Sequence, residues 1–230
     1  MKIGVICAME EEIRTLLPKL ANQEERVVAS QHYYHGTIDG TEVTLVESGI
    51  GKVQAGMTAT VLLSQYQPDV LINTGSAGGI GQGLNIGDVV ISSKVAYHDV
   101  DATAFGYKPG QLPQQPLYFD ADQQVVQAIA QAAHETELNT HVGLIVSGDE
   151  FVSSQSAVKR ILAMYPDALA SEMEGAAVGQ VAHEFHTPFV IIRAMSDNGD
   201  DSASVNFDDF IIDAGKRSAA MLLAYIHNLK

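Results

Sequence analysis

Apolar and polar positions along this chain fall in blocks. Short runs rich in Val and Ile break off into small and charged residues, and most are followed by a stretch with helical spacing. Three such runs lie between Val142 and Asp197. VGLIVSGDEFV ends in Ser147-Gly148-Asp149, ALASEMEGAAVGQVAHEF carries Ser171-Glu172-Met173-Glu174, and TPFVIIRAMSD closes on Ser196-Asp197. A β-rich apolar run that gives way to polar groups reads as a buried strand entering a loop. Ligands of open α/β sheets bind outside the carboxyl ends of strands, so the carboxylates Glu174 and Asp197 point to a site at that edge.

The remaining pattern predicts an alternation of strands and helices. Lys2–Ala8 reads as a strand, and Met9-Glu10-Glu11-Glu12 opens a helix running to about Leu20, with acidic residues suited to a helix N-terminus. Successive helical residues turn by about 100°, so the three glutamates cannot all face solvent equally, and Glu12 is the one set to face the strand ends. Arg26–Asp39 and Thr41–Ser48 read as two strands joined at Asp39-Gly40, a hairpin signal. Helices are predicted over Val53–Tyr66, Asp120–Glu137 (with Asp120 and Gln123 spaced as a capping box), Ser156–Tyr165, Glu174–Phe185 and Phe207–Asn228. Further strands are predicted at Asp69–Thr74, Asp88–Lys94 and Pro188–Met195. Tyr97–Phe119 is irregular and rich in Pro, Gly and aromatics, which fits a lid, an interface or a plain surface excursion. Asn198–Asn206 reads as an acidic loop. With no repeat, linker or low-complexity tract, residues 1–230 form one α/β domain with a mostly parallel sheet and an early hairpin.

Charge and composition narrow the function. A formal net charge of −15 argues against nucleic-acid and acidic-membrane partners, which need a basic face. No apolar run approaches the roughly 20 residues needed to span a bilayer, no signal-peptide pattern opens the chain, and a cytoplasmic protein is expected. Cys7 is the only cysteine; it sits in the first apolar run and reads as a small buried hydrophobe. Gly49-Ile50-Gly51-Lys52 follows a strand and precedes a helix, but Gln54 stands where a dinucleotide fingerprint needs its third glycine. Gly75–Gly83 lacks the Lys-Ser/Thr pair of a phosphate-binding loop. No HExxH or histidine-rich cluster suggests a metal; His183 and His186 are spaced i, i+3 at an expected exposed helix end. No cofactor is implied.

The chemistry rests on carboxylates. Glu12, Glu174 and Asp197 come from three element ends, and Arg193 lies four residues before Asp197. Carboxylates in a partly apolar pocket can have separated pKa values, so that one serves as acid and another as base. Cleavage of a glycosidic bond needs that division of labour. Spacing alone equally allows Asp197 to cap a turn and Glu174 to start a helix.

Taken together, Met9–Glu12 (MEEE), Ser48–Gly51 (SGIG), Asn73–Gly79 (NTGSAGG), Val146–Asp149 (VSGD), Glu172–Glu174 (EME) and Ser196-Asp197 resemble the bacterial 5′-methylthioadenosine/S-adenosylhomocysteine nucleosidases, over essentially the whole chain. The resemblance implies a three-layer αβα sandwich of the nucleoside phosphorylase/hydrolase superfamily, with a central twisted mixed sheet. It implies hydrolysis of 5′-thio-substituted adenosines to adenine and a 5-thioribose, in methionine salvage, with 5′-deoxyadenosine as a further substrate. By position, Asp197 would be the general acid at adenine N7, held by Ser196, and Glu12 would activate water with Ser76 and Arg193 nearby. Glu174 would grip the ribose hydroxyls, and Met173 would pack on sugar and base. Phe151 and the backbone of Val152 would frame adenine, although Val152 departs from the isoleucine of some relatives. Met9, Ile50 and Phe207 would line the 5′-alkylthio pocket. Phe105 and Pro113 would come from a neighbouring subunit, implying a homodimer.

Overall fold

The computed structural model describes residues 1–229. Its first strand, β1 (Lys2–Cys7), lies between β4 (Thr41–Glu47) and β5 (Val70–Gly79), parallel to both. β4 continues outward through antiparallel β3 (Gln31–Ile38) and β2 (Ala21–Val28). On its other side β5 pairs in parallel with β10 (Phe189–Asp197), and β10 pairs antiparallel with β6 (Val89–Tyr97). β6 runs parallel to β8 (Thr140–Ser147), and β8 to β9 (Ala168–Glu172). A two-residue strand, β7 (Phe119–Asp120), pairs with β6.

The sheet does not stay open. β1 ends at Cys7, but β5 runs on past it, leaving that edge of β5 unpaired from Thr74. β9 takes the vacant edge in a short antiparallel pairing, Ser171 with Gly78 and Ala170 with Gly79. Strands β5, β10, β6, β8 and β9 therefore close into a ring, with β1 to β4 as a wing attached to β5. Pairing is parallel along β4–β1–β5–β10 and along β6–β8–β9, and antiparallel for β2–β3, β3–β4, β10–β6, β6–β7 and the closing β5–β9 contact.

Helices cover both faces. α2 (Lys52–Val61) and α5 (Gly175–Glu184) pack together on one side. On the other, α6 (Ala203–His227) packs across β5 and β10 and contacts α1 (Glu10–Ile13) and α3 (Gln123–Ala133). β10 is buried at every position, as expected for a strand covered on both faces. A second apolar cluster, with Ile80, Val146, Val152, Ile161 and Tyr165, lies under α4 (Gln155–Met164).

Several boundaries differ from the sequence expectation: β5 runs past Thr74 to Gly79 and β6 past Lys94 to Tyr97. The helix predicted from Met9 to Leu20 is only the turn α1, followed by a 3₁₀ turn at Leu17–Lys19. Pro18 cannot donate to the preceding turn and its ring crowds the carbonyl four residues back. The stretch read as one strand from Arg26 is part of an extra hairpin, reversed at Ala29 and Ser30 with φ of 51° and 66°. The cap of α3 is Asp122, not Asp120, because the Asp122 carboxylate accepts from Gln124 N and Val125 N at 3.0 Å. The loop expected to reach Asn206 ends earlier, at Ser202, where α6 begins.

Candidate active site

A cleft opens where β1, β5, β9 and β10 end, and Glu12, Glu174 and Asp197 all line it. Each carboxylate arrives by a different device.

Glu12 sits in the single turn after β1 and is 3% exposed. One carboxylate oxygen accepts from Ala8 N (2.8 Å) and Met9 N (3.2 Å). The other accepts from Ser76 N (2.9 Å) and Ser76 Oγ (3.1 Å), so β5 and β1 grip the group from two sides. Burial raises its pKa, opposed by the charge of Arg193 and by these donors.

Asp197 ends β10 just after a register break between Met195 and Asp197. The extra residue, Ser196, is a bulge, a device that re-aims side chains near sites. Ser196 Oγ donates to Asp197 Oδ2 at 2.9 Å and Gly199 N to Oδ1 at 2.8 Å. Burial pushes this carboxyl up despite both bonds.

Glu174 stands at the N-cap of α5 and accepts from Gly51 N at 2.8 Å. Burial and then the neighbouring Glu172 charge push its pKa up to about 8, against the pull of Arg193.

Glu172 has a role that sequence reasoning missed. Its carboxylate pairs with Arg193, accepts from Ser147 Oγ, and receives Gly175 N at 2.8 Å, closing the N-terminus of α5. Ser147 Oγ in turn accepts from Ala176 N at 2.7 Å. Arg193 also donates to Asn73 Oδ1 at 2.6 Å and lies 3.5 Å from Glu174. Burial works against the arginine charge, but Glu172, Glu174 and Glu12 together raise its pKa. Arg193 is thus held behind the cleft wall, 1% exposed and absent from the lining. Two glutamates two apart at a strand end, with a lone arginine on a separate strand, were the available signal; that β9 and β10, which do not pair, meet through these side chains could not be read.

Apolar side chains complete the walls. Phe151 and Phe207 meet edge to face at 5.7 Å between ring centres, and Met9, Ile50 and Met173 line the rest, with Ile50 half exposed. Ser76 and Ser196 line the cleft beside the carboxylates they bond. Val152 is buried in the α4 cluster and does not line the cleft. Phe105 and Pro113 lie outside it, and Phe105 is 81% exposed.

Among the described residues no cluster of His, Cys, Asp and Glu is arranged to hold a metal, and no helix is long and apolar enough to cross a membrane. His183 and His186 border a separate hollow. The Cys7 thiol is wholly buried, and burial pushes its pKa up, which suits a core residue. The one lysine near the cleft, Lys52, is tied to Asp99 at 2.6 Å and to Asp149 at 3.6 Å. The arrangement offers three buried carboxylates facing a mostly apolar space, and among the described residues no unpaired cation lines it.

Comparison with known proteins gives a consistent picture. Residues 2–227 match the phosphorylase superfamily. A 5′-methylthioadenosine/S-adenosylhomocysteine nucleosidase of Anoxybacillus flavithermus is 46% identical over 230 residues, covering 100% of this chain and 99% of the relative. The nucleosidase of Streptococcus pneumoniae, solved with the transition-state inhibitor MT-ImmA, is 50% identical with a TM-score of 0.96, covering both chains in full. That of Streptococcus pyogenes, solved with 5-methylthiotubericidin, is 47% identical with a TM-score of 0.97, covering 100% of this chain and 98% of the other.

Proposed function

The chain belongs to the phosphorylase superfamily, and from that premise we propose the following reaction and division of roles. The protein is an N-glycosyl hydrolase. It cleaves the N9–C1′ bond of 5′-methylthioadenosine and S-adenosylhomocysteine and releases adenine and the 5-thioribose. The observation that carries this reading is the set of three buried carboxylates around one cleft, near which Lys52 and Arg193 are already paired with carboxylates.

The C1′–N9 bond breaks through an oxocarbenium-like state, with positive charge on the ribose and negative charge moving onto the base. Asp197 gives its proton to adenine N7, so the bonding electrons leave with a neutralised base. Burial raises its pKa, which favours the proton-bearing form, and general acid–base help of this kind is worth roughly 10²–10⁴ in rate. Glu12 takes a proton from the water that adds to C1′. The four donors on its carboxylate fix its direction. Glu174 holds the ribose hydroxyls, and the charge of Glu12 favours the cationic sugar. Met173 packs on sugar and base, while Phe151 and the Val152 backbone frame adenine. Met9, Ile50 and Phe207 form an apolar wall suited to a thioether, with nothing for a 5′-phosphate.

Water rather than phosphate is the nucleophile in this reading. Phosphate needs cationic or backbone N–H contacts, whereas the place for it holds Glu12, whose neighbouring N–H groups are already engaged. A homodimer completes the site, with Phe105 and Pro113 of each subunit closing the 5′ end of the other's cleft. The test is to incubate the purified protein with 5′-methylthioadenosine, with and without phosphate, and quantify free adenine. Equal release is expected; strict dependence on phosphate overturns the hydrolase assignment.

A further inference from the structure

The Ser48–Gly51 loop brings Ile50 to the cleft wall, and the Ser147–Val152 loop brings Phe151 to it. These loops are joined through a single lysine. Lys52 Nζ lies 2.6 Å from Asp99 Oδ2 and 3.6 Å from Asp149 Oδ2. Lys52 N donates to Asp149 Oδ1 at 2.9 Å, and Asp149 N donates to Asp99 Oδ2 at 2.9 Å. Nζ also stands 5.5 Å from the centre of the Tyr97 ring. The approach is close enough to need glycine next door: Gly51 has φ of 98°, and a Cβ there would meet Asp149 Oδ1 at 3.1 Å.

We propose that Lys52, Asp99 and Asp149 form a clasp that fixes the span between the adenine end and the 5′-thioether end of the cleft, making Lys52 a positioning residue for substrates that reach both ends. Lys52 and Asp99 are only 23% exposed, so the pair is shielded more than a surface ion pair, whose worth is small. The clasp touches no part of the cleft itself, since none of its three residues lines it. A ligand that occupies only the adenine end does not sense the span, whereas one that bridges both ends does. Asp99 also opens the segment that carries Phe105, so the clasp gathers three loops.

This inference rests on the assignment of Phe151 to adenine and Ile50 to the thioether. Adenine release by the unmodified protein checks that reading first and separately. The clasp is then tested with Lys52→Met, Lys52→Arg and Asp99→Asn, each compared for KM and kcat with 5′-methylthioadenosine, for inhibition by free adenine, and for melting temperature. Removing an interaction made equally in ground and transition states raises KM and spares kcat. The expected result for Lys52→Met is a KM raised about tenfold, kcat within about threefold and adenine inhibition within about twofold of the parent. Lys52→Arg should restore KM, and adding Asp99→Asn to Lys52→Met should cost nothing more. An unchanged KM, or equal loss of adenine and substrate affinity, overturns the proposal. Because Asp99→Asn keeps size and shape, it gives the same reading should Lys52→Met fold poorly.

Discussion

Gly78 and Asp197 are paired neighbours across β5 and β10, and a Cβ built on Gly78 would lie 2.9 Å from Asp197 Oδ1. The absent side chain is what lets the bulged carboxylate lie over β5. Gly78→Ala is therefore expected to displace the carboxylate without emptying or overfilling the core. A misplacement of about 1 Å can cost roughly 10²-fold in rate, and a fall of that order in kcat, with a melting temperature changed by only a few degrees, is the expected outcome. Steady-state kinetics beside a thermal melt checks it.

The proposed mechanism gives two carboxylates with raised pKa values opposite duties, and a pH dependence follows from it. Glu12 must be ionised to take a proton, so activity falls as pH drops through its pKa. Asp197 must be protonated to give one, so activity falls as pH rises through its own. Burial moves both above the ordinary carboxylate range. The profile of kcat/KM against pH should be a bell reporting the free protein. Asp197→Asn should lower turnover by about 10²–10⁴, leave the fold intact and abolish the alkaline limb. Turnover near that of the parent removes Asp197 as the acid.

Glu174 carries a stability cost that depends on pH. Its pKa in the folded chain is about 8, above that of an unfolded glutamate. For a raised carboxyl the folded state is favoured below the unfolded value, and that advantage is lost as pH climbs through the folded value. Glu174→Gln removes the ionisation while keeping an oxygen to accept from Gly51 N. The variant should melt higher than the parent, with a gap that widens from about pH 4.5 to about pH 8, while catalysis drops. Calorimetric melts at the two ends of that range measure the effect; a gap that narrows with pH contradicts the sign.

Shared sites in a homodimer can be tested by complementation. Phe105→Ala and Asp197→Asn each impair every site when alone. In a mixed dimer, the site built on the Phe105→Ala chain keeps its own Asp197 and receives Phe105 from the other chain. Co-expression at equal levels should recover about a quarter of parental activity, since half the pairs in a two-fold dimer are mixed and each holds one intact site. Recovery no better than the sum of the two variants means Phe105 does not cross between subunits.

How much was legible in the sequence differs from element to element. The strand ends near Glu174 and Asp197 were readable because buried Val/Ile runs end abruptly in polar residues, a local signal, whereas β5 was expected to stop at Thr74 and runs on through Ser76 to Gly79. The hairpin at Asp39-Gly40 was readable because Gly suits its positive φ. The hairpin at Ala29-Ser30 was not, because its left-handed residues are ones that carry no turn signal. α1 was overlong in prediction because Pro18 was read as part of the helix rather than as its stop. The partnership of Glu172 with Arg193 joins β9 to β10, which are not neighbours in the sheet order, and no one-dimensional pattern announces it. The bulge at Ser196 is likewise a matter of register, which only the partner strand reveals.

The closed ring of β5, β10, β6, β8 and β9 resembles a cooper's hoop, in which no stave can slacken alone. Ser76, Glu172 and Asp197 belong to three of those staves. Heat should therefore not disarm this protein gradually: inactivation and collapse of the whole barrel should be a single event, seen at the same temperature by assay and by circular dichroism.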